Sequence, residues 1–211
     1  MFENFYGLTR SPFMRDIPTD QLYPSVMLEE TLGRLEHAAQ RQLFAVLTGD
    51  SGTGKTTAVR RFTDILDPGR FLVMYLADSK LTPRHFYKGL LEQLGCEAKF
   101  YRGDAKRQLH REIELLRGIH ALQPVVVLDE AHLLDKEMLE EVRFLLNFKM
   151  DSQSPMALVL VGQSECGYSG VRVRVDRLAL CTPSAEIGHG VRHIEHSGEK
   201  AVLIRGGPGA G

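Results

Sequence analysis

Four short segments of the chain, "LFAVLTG" (43–49), "RFLVMYLAD" (70–78), "PVVVLD" (124–129) and "MALVLVG" (156–162), are apolar almost throughout. A strand with one wet face alternates apolar and polar residues, so continuous runs of this length predict strands buried on both faces. Between them the spacing lengthens to that of helices. Ser25 offers an N-cap to "VMLEETLGRLEHAAQRQ", in which Leu28, Leu32 and Leu35 mark one face. "GKTTAVRRFTDIL" follows the first strand as a helix and is halted by Asp67-Pro68-Gly69. Thr82-Pro83 opens a further helix with Phe86, Leu90 and Leu94 on one stripe. A polar helix is predicted over about 104–120, and Asp135 caps another, "KEMLEEVRFLLNFKM". Buried strands alternating with helices predict an α/β fold with a doubly wound, mostly parallel sheet.

The ends of the chain carry weaker patterns. Residues 1–24 mix aromatics with Pro12, Pro18 and Pro24 and show no period. They predict an extended arm whose Phe2, Phe5, Tyr6 and Phe13 pack onto the body. Beyond about residue 164, "RVDRLALCT" (174–182) suits a fifth strand and "PSAEIGHGVRHIEHS" a short helix, while "RGGPGAG" suits neither. The expected organisation is an arm over 1–24, a core over 25–182 and a rudimentary tail over 183–211.

Length and charge narrow the function. A chain of 211 residues has room for one α/β domain. It cannot hold the two RecA-like lobes of the helicases that share the tetrapeptide Asp129-Glu130-Ala131-His132. A formal net charge of −1 excludes a broadly basic nucleic-acid binder and leaves only a local patch. Cys96, Cys166 and Cys181 form no paired motif, and the start "MFENFYGLTR" has no apolar signal region. With no run long enough to span a membrane, a cytoplasmic location is expected.

The chemistry lies at the ends of the predicted strands. "GDSGTGKTT" fits the phosphate-loop pattern G-x-x-x-x-G-K-[ST] and sits between a strand and a helix, as that motif requires. Gly49, Asp50, Ser51, Gly52, Thr53, Gly54, Lys55, Thr56 and Thr57 are the candidate ATP-binding residues. The glycines permit torsions and close approaches that side chains would block, and backbone N–H groups can then face phosphate oxygens. Lys55 is expected at the β- and γ-phosphates, with Thr56 as a ligand of Mg²⁺. Asp129 ends the third strand, where an open α/β sheet presents its ligand crevice. It would hold Mg²⁺ through water while Glu130 polarises the attacking water. The alternative is an acidic strand end that only caps the next helix. Gln163 closes the fourth strand and could orient the water, or could simply begin a loop. "KFYRGDAKRQLHR" interleaves Lys99, Arg102, Lys106, Arg107 and Arg111 with Phe100 and Tyr101, a mixture that suits duplex DNA or a solvated helix face equally. His189, His193 and His196 have near-helical spacing but lack partners for a metal site.

Taken together, "FYGLTRSPF", "LFAVLTGDSGTGKTT", "DSKLTPRHFY", "FYRGDAKRQLHR", "VVVLDEAHLL", "EVRFLLNFKMDSQSP" and "LVLVGQSE" resemble the AAA+ ATPases of the ExeA type and the helper ATPases of insertion sequences and transposons. The resemblance covers about residues 1–165. It implies a P-loop NTPase fold and an ATP-dependent homo-oligomer on DNA that recruits or regulates a transposase. ExeA-like relatives instead serve secretion assembly. After Glu165 the pattern departs: "CGYSG" is too short for the family's leucine-rich helix, although "VRVRVD" still resembles its arginine element. Arg172 and Arg174 match the arginines that include a finger reaching a neighbouring subunit's γ-phosphate. The later lid helices are not recognisable, so an incomplete lid is expected. A nucleotide-binding remnant with little turnover is the alternative expectation.

Overall fold

The N-cap expected at Ser25 forms: its hydroxyl accepts from the Leu28 amide at 3.2 Å and opens helix α1, Val26–Arg41. In the computed structural model, residues 5–7, 17–78, 81–146, 154–163 and 172–176 are described. Strand β1 (Phe44–Thr48) leads into α2 (Lys55–Ile65), and β2 (Phe71–Leu76) into α3 (Pro83–Gln93). Helix α4 (Arg102–Gly118) precedes β3 (Gln123–Leu128), α5 (Lys136–Leu146) precedes β4 (Ala157–Gly162), and β5 covers Arg172–Asp176. The caps expected at Thr82 and Asp135 are made, to the amides of His85 and Met138. Helix α4 starts two residues before the expected position. In the fifth predicted helix, 147–150 lie outside the described residues.

The strand order is β2-β3-β4-β1-β5. The first four are parallel, with β4 seated between β3 and β1. Alternate residues of the central strands feed two cores. Val125, Val127, Val159 and Val161 meet Leu35, Ala38, Val59 and Phe62 of α1 and α2. Val126, Leu128, Leu158 and Leu160 meet Phe86, Leu90, Leu109, Ile113 and Met138 of α3, α4 and α5. Burying an aliphatic or aromatic side chain contributes about 1.5–3 kcal/mol, which is why the central strands are apolar on both faces through their middles. Helices cover both faces, as the pattern predicts.

Two expectations need correction. The fifth strand, Arg172–Asp176, starts two residues before the expected position, and it runs antiparallel to β1, pairing Phe44 with Asp176 and Thr48 with Arg172. Its alternating R-V-R-V-D sequence is that of an edge strand, unlike the four continuous runs. Residues 177–182 lie outside the described residues. The aromatic arm does not bury all its rings: Phe5 and Tyr6 are exposed and stack edge to face on each other, 4.9 Å apart. Phe2 and Phe13 lie outside the described residues. The arm is tied down further along, where buried Thr19 donates to Asp64 at 2.6 Å and Arg60 donates to the Ile17 carbonyl at 2.7 Å, both on α2. Among the described residues no helix is long and apolar enough to cross a membrane.

Candidate functional site

Parallel register puts the carboxyl ends of β1, β3 and β4 on one edge of the sheet. Thr48 pairs with Gly162, and Leu128 with Leu160, so the chain after each strand leaves on the same side. Gly49–Thr57, Asp129–Glu130 and Gln163 all follow these ends. Strand order, which brings β4 between β1 and β3, is what assembles them.

The phosphate loop closes on itself through short contacts. Gly49 donates to the Gly162 carbonyl at 3.3 Å, and the Thr53 amide and hydroxyl both reach the Asp50 carbonyl, at 3.3 and 2.8 Å. Gly52 and Gly54 have φ of 81° and 86°, in the left-handed region that favours glycine. Gly54 is the cap from which α2 begins, so the helix N-terminus opens directly into the loop. Lys55 folds back, its Nζ donating to the carbonyls of Gly49 at 2.8 Å and Asp50 at 2.7 Å. An ammonium already held over the loop needs only to exchange carbonyl oxygens for phosphate oxygens. Thr56 is exposed beside it. The Thr56 hydroxyl and the Asp129 carboxylate are hard oxygen donors of the kind Mg²⁺ takes, so the residues present fit a Mg²⁺–nucleotide.

At the end of β3 both oxygens of Asp129 are occupied. Oδ1 accepts from the Glu130 amide at 2.8 Å, and Oδ2 accepts from the Tyr75 hydroxyl at 2.6 Å. Burial, the bond to Asp129 and the charges of Asp129 and Glu130 push the Tyr75 pKa well up, so the hydroxyl remains a donor. Glu130 adopts φ 54°, ψ 32°, a left-handed conformation that costs a non-glycine residue about 1–2 kcal/mol. Its half-exposed carboxylate makes no cap hydrogen bond to the turn that follows, and Asp135 caps α5. His132 Nδ1 stands 3.5 Å from Glu130 Oε2 and 3.5 Å from the Gln163 amide nitrogen. A Cβ on Gly162 would lie 3.1 Å from the His132 backbone nitrogen, so a side chain there would push the turn after Glu130 away from the end of β4 by a few tenths of an ångström. Gln163 is exposed at the same place.

Tyr75, His132 and Gly162 were not among the predicted site residues. Sequence offered one weak signal: a hydroxyl-bearing ring, Tyr75, inside an otherwise apolar strand run. Arg172 and Arg174 lie opposite Thr48 and Val46 on the antiparallel edge strand, with Arg172 toward the phosphate-loop end.

The basic stretch is different from what its composition suggests. Glu141 of α5 is 3% exposed and accepts from the Tyr87 hydroxyl, from Arg102 and, at 2.9 Å, from Lys106. Arg102 also reaches Glu137 at 2.6 Å, and Arg107 pairs with Asp104. Burial pushes the Glu141 pKa up, but the hydrogen bonds from Tyr87, Lys106 and Arg102 outweigh it and bring it down to about 2. Arg102 and Lys106 therefore clamp α4 to α5. The neighbouring Phe100 and Tyr101 are exposed, with Arg84 over the Phe100 ring at 4.4 Å. His189, His193 and His196 lie outside the described residues. Among the described residues no group of three metal-ligating side chains occurs.

A family model described as an AAA domain matches residues 37–167, which hold the phosphate loop, Asp129, Glu130 and Gln163. General secretion pathway protein A of Aeromonas hydrophila is 32% identical over 170 residues, 78% of this chain and 30% of that protein. Among solved structures, Cdc6p from Pyrobaculum aerophilum aligns with a TM-score of 0.52 at 22% identity, covering 74% of this chain and 42% of that one. At that identity the likeness is one of fold. The Aeropyrum pernix ORC2 protein, in ADPNP-ADP complexes, aligns with a TM-score of 0.47 at 15% identity, covering 65% of this chain and 39% of that one. The chain thus spans less than half the length of each of these relatives. A match over more than half of its own residues, on a sheet of this order with a phosphate loop after β1, means that the chain belongs to the AAA domain family.

Proposed function

We propose that this chain binds Mg²⁺–ATP and hydrolyses it, working in the cytoplasm as a homo-oligomer that helps a transposase on DNA, with residues 25–182 as its ATPase core. The observation that supports the ATPase reading is the common edge reached by the phosphate loop, Asp129–Glu130 and Gln163. Lys55 and the loop amides bind the phosphates, and Thr56 with Asp129 hold the metal. Mg²⁺, when bound, neutralises charge on the β- and γ-phosphate oxygens. Glu130 accepts the proton of the attacking water, Gln163 orients that water, and Arg172 or Arg174 of a neighbouring subunit reaches the γ-phosphate.

The transposition part rests on the sequence resemblance. A second reading, service to secretion assembly, is favoured by the 32% identity to general secretion pathway protein A. DNA contact is proposed through Lys99, Arg102, Lys106 and Arg107, beside the exposed rings of Phe100 and Tyr101. Because Arg102 and Lys106 are committed to Glu141, the informative substitutions are Lys99→Glu and Arg107→Glu.

The test is ATP turnover with and without duplex DNA, with Glu130→Gln as control. We expect DNA to raise the rate, the paired charge reversals to abolish that rise for every sequence, and Glu130→Gln to bind ATP but turn over at least about 100-fold slower. Turnover indifferent to DNA would favour the secretion reading. A parent protein that binds ATP without hydrolysing it would leave a nucleotide-binding module.

A further inference from the structure

Tyr75 lies on β2, one strand away from the acidic end of β3. Its register partner is Val127, so Asp129 is its diagonal neighbour two residues further along the same face. Side chains two residues apart on one face point to the same side of the sheet, so an aromatic side chain with a terminal hydroxyl can reach across to that neighbour. The hydroxyl makes that reach, meeting Asp129 Oδ2 at 2.6 Å. Tyr75 is itself fixed from the outside. At this point β2 is the sheet edge, and the Gln93 side chain of α3 occupies it as a neighbouring strand would. Gln93 Oε1 accepts from the Tyr75 amide at 2.9 Å, and its Nε2 donates to the Tyr75 carbonyl at 3.0 Å. Edge N–H and C=O groups are ordinarily left to solvent, so a side chain that satisfies both at a single residue locks that residue's position.

We propose that Tyr75, held by Gln93, is the positioning residue that orients the Asp129 carboxylate for Mg²⁺. The phenol supplies a neutral donor to one carboxylate oxygen while the Glu130 amide supplies another to the other oxygen. Together they fix the rotamer of Asp129 and the direction of the lone pairs left for the metal's water. Partners of metal-holding carboxylates set affinity through that orientation, and their loss typically weakens metal binding by about 10-fold or more. Tyr75 takes no part in bond making, and its effect passes through Asp129. The inference rests on the Mg²⁺–ATP reading of the site.

The experiment titrates MgCl₂ into the 211-residue chain with a fluorescent ATP analogue and reads the half-saturating Mg²⁺ concentration. The analogue's affinity in EDTA is measured in parallel. Tyr75→Phe keeps the ring and removes only the donor. It should raise the Mg²⁺ midpoint about 10-fold while the affinity in EDTA stays within about twofold. Gln93→Leu should move the midpoint in the same direction by less. Asp129→Asn should raise it too, and adding Tyr75→Phe to that background should change nothing more, because the two residues act as a unit. A Tyr75→Phe midpoint equal to the parent's, or effects that multiply in the double variant, would overturn the positioning role. A parent that binds the analogue with no Mg²⁺ dependence would take down the Mg²⁺–ATP reading of the site, and this inference with it, while leaving nucleotide binding in place.

Discussion

Glu141→Gln tests whether the basic stretch is a clamp or a solvated surface. Glu141 is 3% exposed and receives hydrogen bonds from Tyr87, Arg102 and Lys106. The ordinary carboxyl value of 4.5 falls to about 2 in the folded protein. A pKa unit corresponds to about 1.4 kcal/mol, so the ionised form adds about 3 kcal/mol to stability at neutral pH. The folded pKa is depressed, so this contribution is complete above the unfolded value and is lost as pH falls towards 2. At pH 3 about 1 kcal/mol remains. The amide keeps the shape but leaves two cations around a neutral group, a loss comparable to breaking a buried pair. Urea unfolding of parent and variant at pH 7 and pH 3 measures both ends of this range. Glu141→Gln should cost about 3 kcal/mol at pH 7, lowering Tm by about 6–12 °C for a chain of this size, and about 1 kcal/mol at pH 3. A loss below about 1 kcal/mol at pH 7, or an equal loss at both pH values, would refute the clamp.

Two further outcomes concern the site. Lys55→Ala should abolish ATP binding, read by titration of a fluorescent analogue, while costing about 1 kcal/mol or less in stability, since its two bonds are made to carbonyls of a surface loop. Gly162→Ala sets a Cβ 3.1 Å from the His132 backbone nitrogen and should cost about 1–3 kcal/mol in urea unfolding. It should also lower kcat more than ATP affinity, because the turn it displaces follows Glu130.

Local patterns determined a large part of this protein. The four apolar runs became four parallel strands, because a strand covered on both faces has no position where a polar side chain meets water. Ser25, Thr82 and Asp135 became caps, since each satisfies an amide only three residues away. The phosphate loop was legible for a similar reason: its glycines, lysine and threonines are contiguous, and its geometry is set by torsions at Gly52 and Gly54. Tertiary structure decided the rest. Tyr75 and Asp129 are 54 residues apart, as are Tyr87 and Glu141, and neither pair exists until the strand order and helix packing are chosen. Sequence left Arg102 and Lys106 as DNA-contacting or solvated charge, while packing of α4 on α5 pairs both with the buried Glu141. The antiparallel direction of β5 was equally hidden, because an alternating edge strand can pair with a neighbour in either sense. Spacing along the chain records interactions over a few residues, whereas contacts across the sheet depend on which strand lies beside which.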